Sequence, residues 1–133
     1  MLEKTLIDYF RNVPHVVSVT LFGSFARNTA TDKSDVDVAV FFARAHVPDP
    51  FKLIAMREEI SELLHRDVDL VCLNTASPIL GMEAYQSGKL LLNKNARAYA
   101  MYHTDLFVDY VELKELRATA EKNILNRKFY DKS

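Results

Sequence analysis

Asp35 and Asp37 stand two apart in Ser34-Asp35-Val36-Asp37-Val38-Ala39-Val40. Side chains alternate along a strand, so both carboxylates leave one face while Val36, Val38 and Val40 leave the other, toward a core. Neighbouring carboxylates repel and stay ionised together only when solvated or bridged by a cation. Oxygen-only ligands in this arrangement suit Mg²⁺ or Mn²⁺. A third acid, Asp69, lies centrally in Asp67-Val68-Asp69-Leu70-Val71. An unpartnered carboxylate between apolar neighbours is costly there. If the two strands pair, Asp35, Asp37 and Asp69 meet. Such a trio can hold two cations about 3.5–4 Å apart, the arrangement used for in-line phosphoryl and nucleotidyl displacement. Asp67 points the same way as Asp69 and is the alternative third ligand. It follows His65-Arg66 at the strand start, where a solvated acid is ordinary, so Asp69 is preferred.

A second group precedes the acids. Gly23-Ser24 closes the run Val16-Val17-Ser18-Val19-Thr20-Leu21-Phe22. Glycine leaves no Cβ to block a phosphate, and a turn there exposes N–H donors. A helix starting near Ser24 would add its positive end. The Ser24 hydroxyl and the fork-shaped Arg27 guanidinium are further phosphate donors, and Ser34, beside the acids, is a weaker one. Taken singly, a strand-ending Gly-Ser is an ordinary turn and two alternating acids are an ordinary solvated edge. Together, with the third acid, they make a binding and catalytic set for a nucleoside triphosphate.

The elements needed to position these groups can be read from periodicity. Residues 2–12 have helical spacing (Leu2, Leu6, Tyr9, Phe10) ended by Pro14. β-Branched residues mark a strand over 16–22, and alternation marks a second ending in Phe41-Phe42. Pro48 and Pro50 lead into a helix over 51–65, with Leu53, Ile54, Met56, Ile60, Leu63 and Leu64 as its apolar side. Residues 67–73 form a third strand. Residues 77–87 form a helix with Pro78 near its start and Gly88 as its stop, and residues 89–92 add a short strand. From Asn95 the pattern is helical for about 30 residues, with Tyr99, Tyr102, Leu106, Tyr110, Leu113, Arg117 and Ala120 on one stripe. Residues 128–133 are expected to fray. The fold class is α/β (α+β): a small mixed sheet of three to four strands flanked by helices, with a long C-terminal helix. Residues 1–133 make a single domain, with a catalytic core over 1–92 and a helical extension over 95–130.

The spacing Gly23-Ser24, ten residues (25–34), then Asp35-Val36-Asp37 resembles the signature of the DNA polymerase beta-type nucleotidyltransferase superfamily, and Asp69 matches its third carboxylate. The size and the Val-Asp-Leu-Val strand resemble the minimal nucleotidyltransferases (MNT). That resemblance implies two Mg²⁺ ions, with Mn²⁺ as an alternative, and ATP as substrate. It further implies a HEPN-family RNase toxin as partner. The chain would act as its antitoxin, transferring AMP to a tyrosine hydroxyl of that toxin. The alternatives are a nucleotidyltransferase acting on RNA or a small molecule, and a non-catalytic antitoxin that covers the toxin sterically.

Composition limits the rest. With 133 residues, 49% hydrophobic and 26% charged, the chain is the size of one globular domain. Its 17 basic and 18 acidic side chains give a net charge of −1, so no extended nucleic-acid track is expected. The single cysteine, Cys72, cannot form an internal disulfide and reads as a core residue. No apolar run is long enough to span a bilayer and no signal-like segment opens the chain, so a cytoplasmic location without membrane association is expected. His15, His46, His65 and His103 lack ligand spacing and read as packing or surface residues. The aromatic stripe from Tyr99 to Leu113 can pack on the core, and its distal turns can meet a partner or a second copy in a homo-oligomer.

Overall fold

The computed structural model describes residues 2–130, the side chains of 128–130 excepted. Its elements are α1 (Leu2–Arg11), β1 (Val16–Phe22), β2 (Val36–Phe42), α2 (Pro50–Leu64), β3 (Val68–Cys72), α3 (Pro78–Ser87), β4 (Lys89–Asn93) and α4 (Ala96–Tyr130). The four strands lie in the order β3-β2-β1-β4. β1 is antiparallel to both β2 and β4, and β2 is parallel to β3. The sheet is therefore mixed, as expected, and α2 is the crossover that makes β2 and β3 parallel.

Both faces of the sheet are covered. On one, Val19, Leu21, Val36, Val38, Val40, Val68 and Cys72 pack with Leu6 and Phe10 of α1 and Ile60 of α2. On the other, Val17, Phe22, Ala39, Phe41 and Leu73 pack beneath Met82 and Ala84 of α3 and Tyr102 and Leu106 of α4. Asp37 lies on the second face, since it alternates in step with Ala39 and Phe41. The acid-bearing face is thus a second core along most of its length, and it opens only at the N-terminal ends of β2 and β3.

Local chemistry sets the element ends. Asp49 caps α2 by accepting from the Lys52 amide at 2.8 Å, Pro50 follows at the first turn, and His65 closes the helix in the left-handed region at φ 53°. Only part of the expected α2 stripe is inward. Leu53, Met56 and Leu64 pack against the core around buried Ile60, whereas Ile54 and Leu63 are about half exposed. They sit one residue off the 3–4 spacing that keeps a face toward the sheet. Ser77 caps α3. Gly88 follows it with an extended φ of −88°, so no left-handed stop is made there. A Cβ at this position would strike the Ala84 carbonyl and Thr20 Cγ2, so its smallness, not its flexibility, is used.

In α4, Tyr102 and Leu106 are buried and Tyr99, Tyr110 and Leu113 half-buried. Arg117 and Ala120, expected on the same stripe, are exposed, as is every residue from Lys114 to Arg127. The helix is long, 35 residues or about 52 Å, and its buried residues Tyr102 and Leu106 lie in its first half. The helix passes the expected fraying point at Lys128 and continues to Tyr130, and residues 131–133 lie outside the described residues. No helix among the described residues is long and apolar enough to cross a membrane.

Candidate active site

The strand registers bring the candidate groups together. Phe22 of β1 pairs with Asp37 of β2, so Gly23 follows directly beside the Asp37 side chain. Asp37 is also the parallel register partner of Asp69. Neighbouring strands lie about 4.8 Å apart and register partners share a face, so the two carboxylates are adjacent. Asp35 precedes β2 by one residue and lies exposed at its mouth, as Asp69 does on β3, while Asp37 between them is half-buried. Burial raises the Asp37 carboxyl above its ordinary value, and the charges of Asp69, Asp35 and Glu83 add to the effect, with Arg27 opposing. None of the ion pairs among the described residues engages Asp35, Asp37 or Asp69.

The chemistry of the donor set fits a hard divalent cation: oxygen ligands only, mutually repelling and in none of the ion pairs among the described residues. The fit is open, not closed. Among the described residues no three His, Cys, Asp or Glu side chains are drawn into a ready-made cage. An open carboxylate set suits Mg²⁺, which keeps waters and takes further ligands from substrate phosphates. The preference for Asp69 over Asp67 has a geometric basis. Asp69 pairs with Asp37, whereas Asp67 lies one strand turn earlier, where its carbonyl accepts from the Val36 amide at 2.9 Å. Its side chain lines a polar cleft with Ser34, Asp35, Glu62 and His65.

The segment after β1 is a turn, without the helix that could have added its positive end. Residues 23–28 form consecutive turns, and no helix begins at Ser24. Asn28 enters the left-handed region at φ 57°, which interrupts helical propagation. The Arg27 amide donates to the Gly23 carbonyl and the Thr29 amide to the Ser24 carbonyl. No helix dipole is available, and the donors are turn amides and the Ser24 hydroxyl. Gly23 is buried with φ 70°, and a Cβ there would collide with the Asp37 carboxylate. Glycine is thus required by conformation and by contact with the central acid. Ser34 serves the loop: its hydroxyl accepts from the Thr31 amide at 2.9 Å. Arg27 is exposed, and its charge is felt at Asp37.

Two neighbours have no motif to announce them. Glu83, on α3, lies near enough for its charge to be felt at Asp37. Arg66 contacts the loop that separates Ser24 from Asp35. Their nearness arises from chain folding over tens of residues, which spacing does not encode. His15 and His46 stack on each other and His103 bonds the Tyr99 carbonyl, so these rings serve packing.

Residues 4–97 match the family described as "Polymerase beta, Nucleotidyltransferase". The chain belongs to this nucleotidyltransferase family. It is 33% identical over 90 residues to the protein adenylyltransferase MntA of Shewanella oneidensis, a match covering 67% of this chain and 63% of that protein. A relative from Methanocaldococcus jannaschii is 45% identical over 56 residues, 42% of this chain and 55% of the relative. The chain thus spans somewhat over half the length of these curated relatives. Among solved structures, it resembles one chain of a crystal structure of a toxin–antitoxin with AMP-PNP, with TM-score 0.82, 26% identity, and coverage of 94% of this chain and 99% of that one. It also resembles one chain of the tri-AMPylated Shewanella oneidensis HEPN toxin in complex with MNT antitoxin. There the TM-score is 0.76 and the identity 25%, covering 93% of this chain and 96% of that one. The likeness to these two solved chains therefore covers more of this chain than residues 4–97.

Proposed function

We propose that this protein is an antitoxin adenylyltransferase that transfers AMP from ATP to a tyrosine hydroxyl of a HEPN-family toxin. The observation that carries the reading is the register of Asp37 with Asp69, directly beside Gly23. Asp35, Asp37 and Asp69 would hold two Mg²⁺ ions, with Mn²⁺ as an alternative. When bound, these supply charge neutralisation on the triphosphate and a lowered pKa for the attacking hydroxyl.

The chain's own groups do the rest. The amides of the Gly23-Ser24 turn and the Ser24 hydroxyl bind the terminal phosphates, with Arg27 and Ser34 at the margin. Asp35, Asp37 and Asp69 would hold the cations that offset the negative charge of the α-phosphate facing the acceptor. The acceptor oxygen attacks that phosphorus, an O–P bond forms, the bond to the bridging oxygen breaks, and pyrophosphate leaves. The acceptor proton passes to a carboxylate oxygen of the trio. Likeness to an adenylyltransferase and to chains of toxin–antitoxin complexes supports the choice of acceptor.

Incubation with the toxin and ATP labelled at the α- or γ-phosphate tests the proposal. Label from the α-position only, released by a phosphodiesterase and absent with Asp35→Ala, is the expected result. Neutralisation of the toxin by Asp35→Ala without label transfer favours the steric antitoxin. Label on RNA or on a small molecule, with none on the toxin, replaces the acceptor.

A further inference from the structure

We infer that Arg66 is a positioning residue, a latch that holds the segment between Ser24 and Asp35 in its ATP-binding shape. The inference rests on the proposed triphosphate site and adds a residue that touches neither phosphate nor acceptor. Arg66 Nη1 donates to the Thr31 carbonyl at 3.3 Å and to the Asp32 carbonyl at 3.4 Å. Its guanidinium carbon lies 5.1 Å from the centre of the Phe25 ring. Phe25 follows the Gly23-Ser24 turn, and Thr31 and Asp32 lead into Ser34 and Asp35. One side chain therefore ties down both ends of the intervening loop.

Arg66 is itself held. Its carbonyl accepts from the Ser61 hydroxyl at 2.6 Å, its amide donates to the Ser61 carbonyl, and only Asp67 separates it from β3, the strand of Asp69. The latch thus references the loop to the third carboxylate.

The choice of partners is informative. The cleft containing Arg66 also holds Asp32, Asp35, Glu58, Glu62 and Asp67. None of the ion pairs among the described residues uses the Arg66 guanidinium, which instead engages two backbone carbonyls and a ring face. Only a planar fork can donate in its plane and stack on an aromatic face at once, so lysine does not replace it. Residues 29–31 form no regular structure; Phe25 packs against the core and the loop's other hydrogen bonds stay within residues 23–34, so Arg66 is what ties Thr31 and Asp32 to the rest of the fold among the described residues. A loop released from the latch must be ordered by ATP itself, and apparent affinity falls by the fraction of molecules already ordered.

The test compares wild type, Arg66→Ala, Arg66→Lys and Phe25→Leu in the full chain with toxin. Arg66→Ala is expected to raise KM for ATP about tenfold, equivalent to about 1.4 kcal/mol, with kcat within threefold and Tm nearly unchanged. Arg66→Lys should behave like the alanine variant, and Phe25→Leu should produce part of the rise. Amide exchange at residues 29–34, measured without ATP, should accelerate in Arg66→Ala whatever the acceptor proves to be. Unchanged exchange there overturns the latch, as does an unchanged KM in an active enzyme. A fall in kcat and Tm at constant KM also overturns it, in favour of a merely structural arginine. If wild type transfers no AMP while exchange accelerates in the variant, the proposed function fails and the latch stands.

Discussion

Replacing Gly23 by alanine puts two separate demands on the site. The first is conformational. At φ 70° the residue is left-handed, which costs an L-residue about 1–2 kcal/mol. The second is contact. The new Cβ would lie 3.0 Å from Asp37 Cγ and 3.3 Å from Asp37 Cβ, and closer still to a carboxylate oxygen. Rotating the carboxylate about its own axis moves the oxygens but leaves Cγ in place, so the whole side chain must swing or the turn must shift. With an unfolding entropy of about 2.1 cal/mol/K per residue, 1–2 kcal/mol lowers Tm of a chain this size by about 4–7 °C. Displacing a group in contact with the reacting phosphate by about 1 Å can cost 10²-fold in rate. Gly23→Ala should therefore lose both a few degrees of Tm and about two orders of magnitude in AMP transfer. Ser24→Ala keeps every backbone donor. It should leave Tm unchanged and weaken triphosphate binding by about 1–3 kcal/mol, the scale of a hydrogen bond to a charged group. Thermal melts and transfer assays on both variants decide the matter. Wild-type transfer in Gly23→Ala, or greater damage from Ser24→Ala, refutes this account of the turn.

Asp37→Asn should raise stability above the carboxylate range and abolish transfer. Because the folded carboxyl titrates above its unfolded value, folding binds the proton more tightly, and stability falls as pH rises through that window. The substitution should be neutral below the window and stabilising above it, by a fraction of a kcal/mol because the group is partly solvated; a loss of Tm at neutral pH would assign Asp37 a structural task. ATP titrated calorimetrically should bind at least tenfold more weakly with EDTA than with Mg²⁺, and equal affinities would remove the cation from the site. Truncation after Lys114 removes only exposed side chains among the described residues. It should leave ATP affinity and Tm within error while weakening association in pull-down and light scattering; lost ATP binding would place the distal helix within the core.

The strands and helices were legible because their signals are local. Alternation at Val36-Asp37-Val38 and the caps Asp49-Pro50 and Ser77-Pro78 report conformation within a few residues, and each element up to β4 formed within about two residues of its expected bounds, whereas α4 runs past its expected end. What local pattern cannot report is which faces will be covered. Ile54 and Leu63 carry the same apolarity as Ile60, yet they fall between sheet and solvent. Arg117 and Ala120 continue the periodicity of Leu113 and are nevertheless exposed. A helix at Ser24, which would have added its positive end to the turn, does not form, for a related reason. Its phosphate-binding rationale concerned the ligand, whereas Asn28 in the left-handed region governs the backbone.

The candidate site divides along the same line. Asp35 and Asp37 share a face because a strand alternates, and that much is fixed by spacing, whereas Asp69 comes from another strand. Their meeting depends on β2 and β3 being parallel, since pairing Asp37 with Asp69 also pairs Val38 with Leu70 and Val40 with Cys72, apolar against apolar. A one-residue slip would set Asp69 on the opposite face from Asp37 and drive it into the core beneath α2. The same apolar residues that bury the sheet therefore align the acids, which makes core packing and site assembly one event. A core change that shifts the register should then abolish activity before it abolishes the fold. Val38→Asp places a charge among Val36, Val40 and Ile60 in the buried cluster, and it should unfold the protein outright. Val38→Ile keeps the apolar pattern and should retain AMP transfer at a cost of about 1–3 kcal/mol from overpacking. Loss of transfer in a folded Val38→Ile protein would show that the acids depend on the core's precise volume as well as on its register.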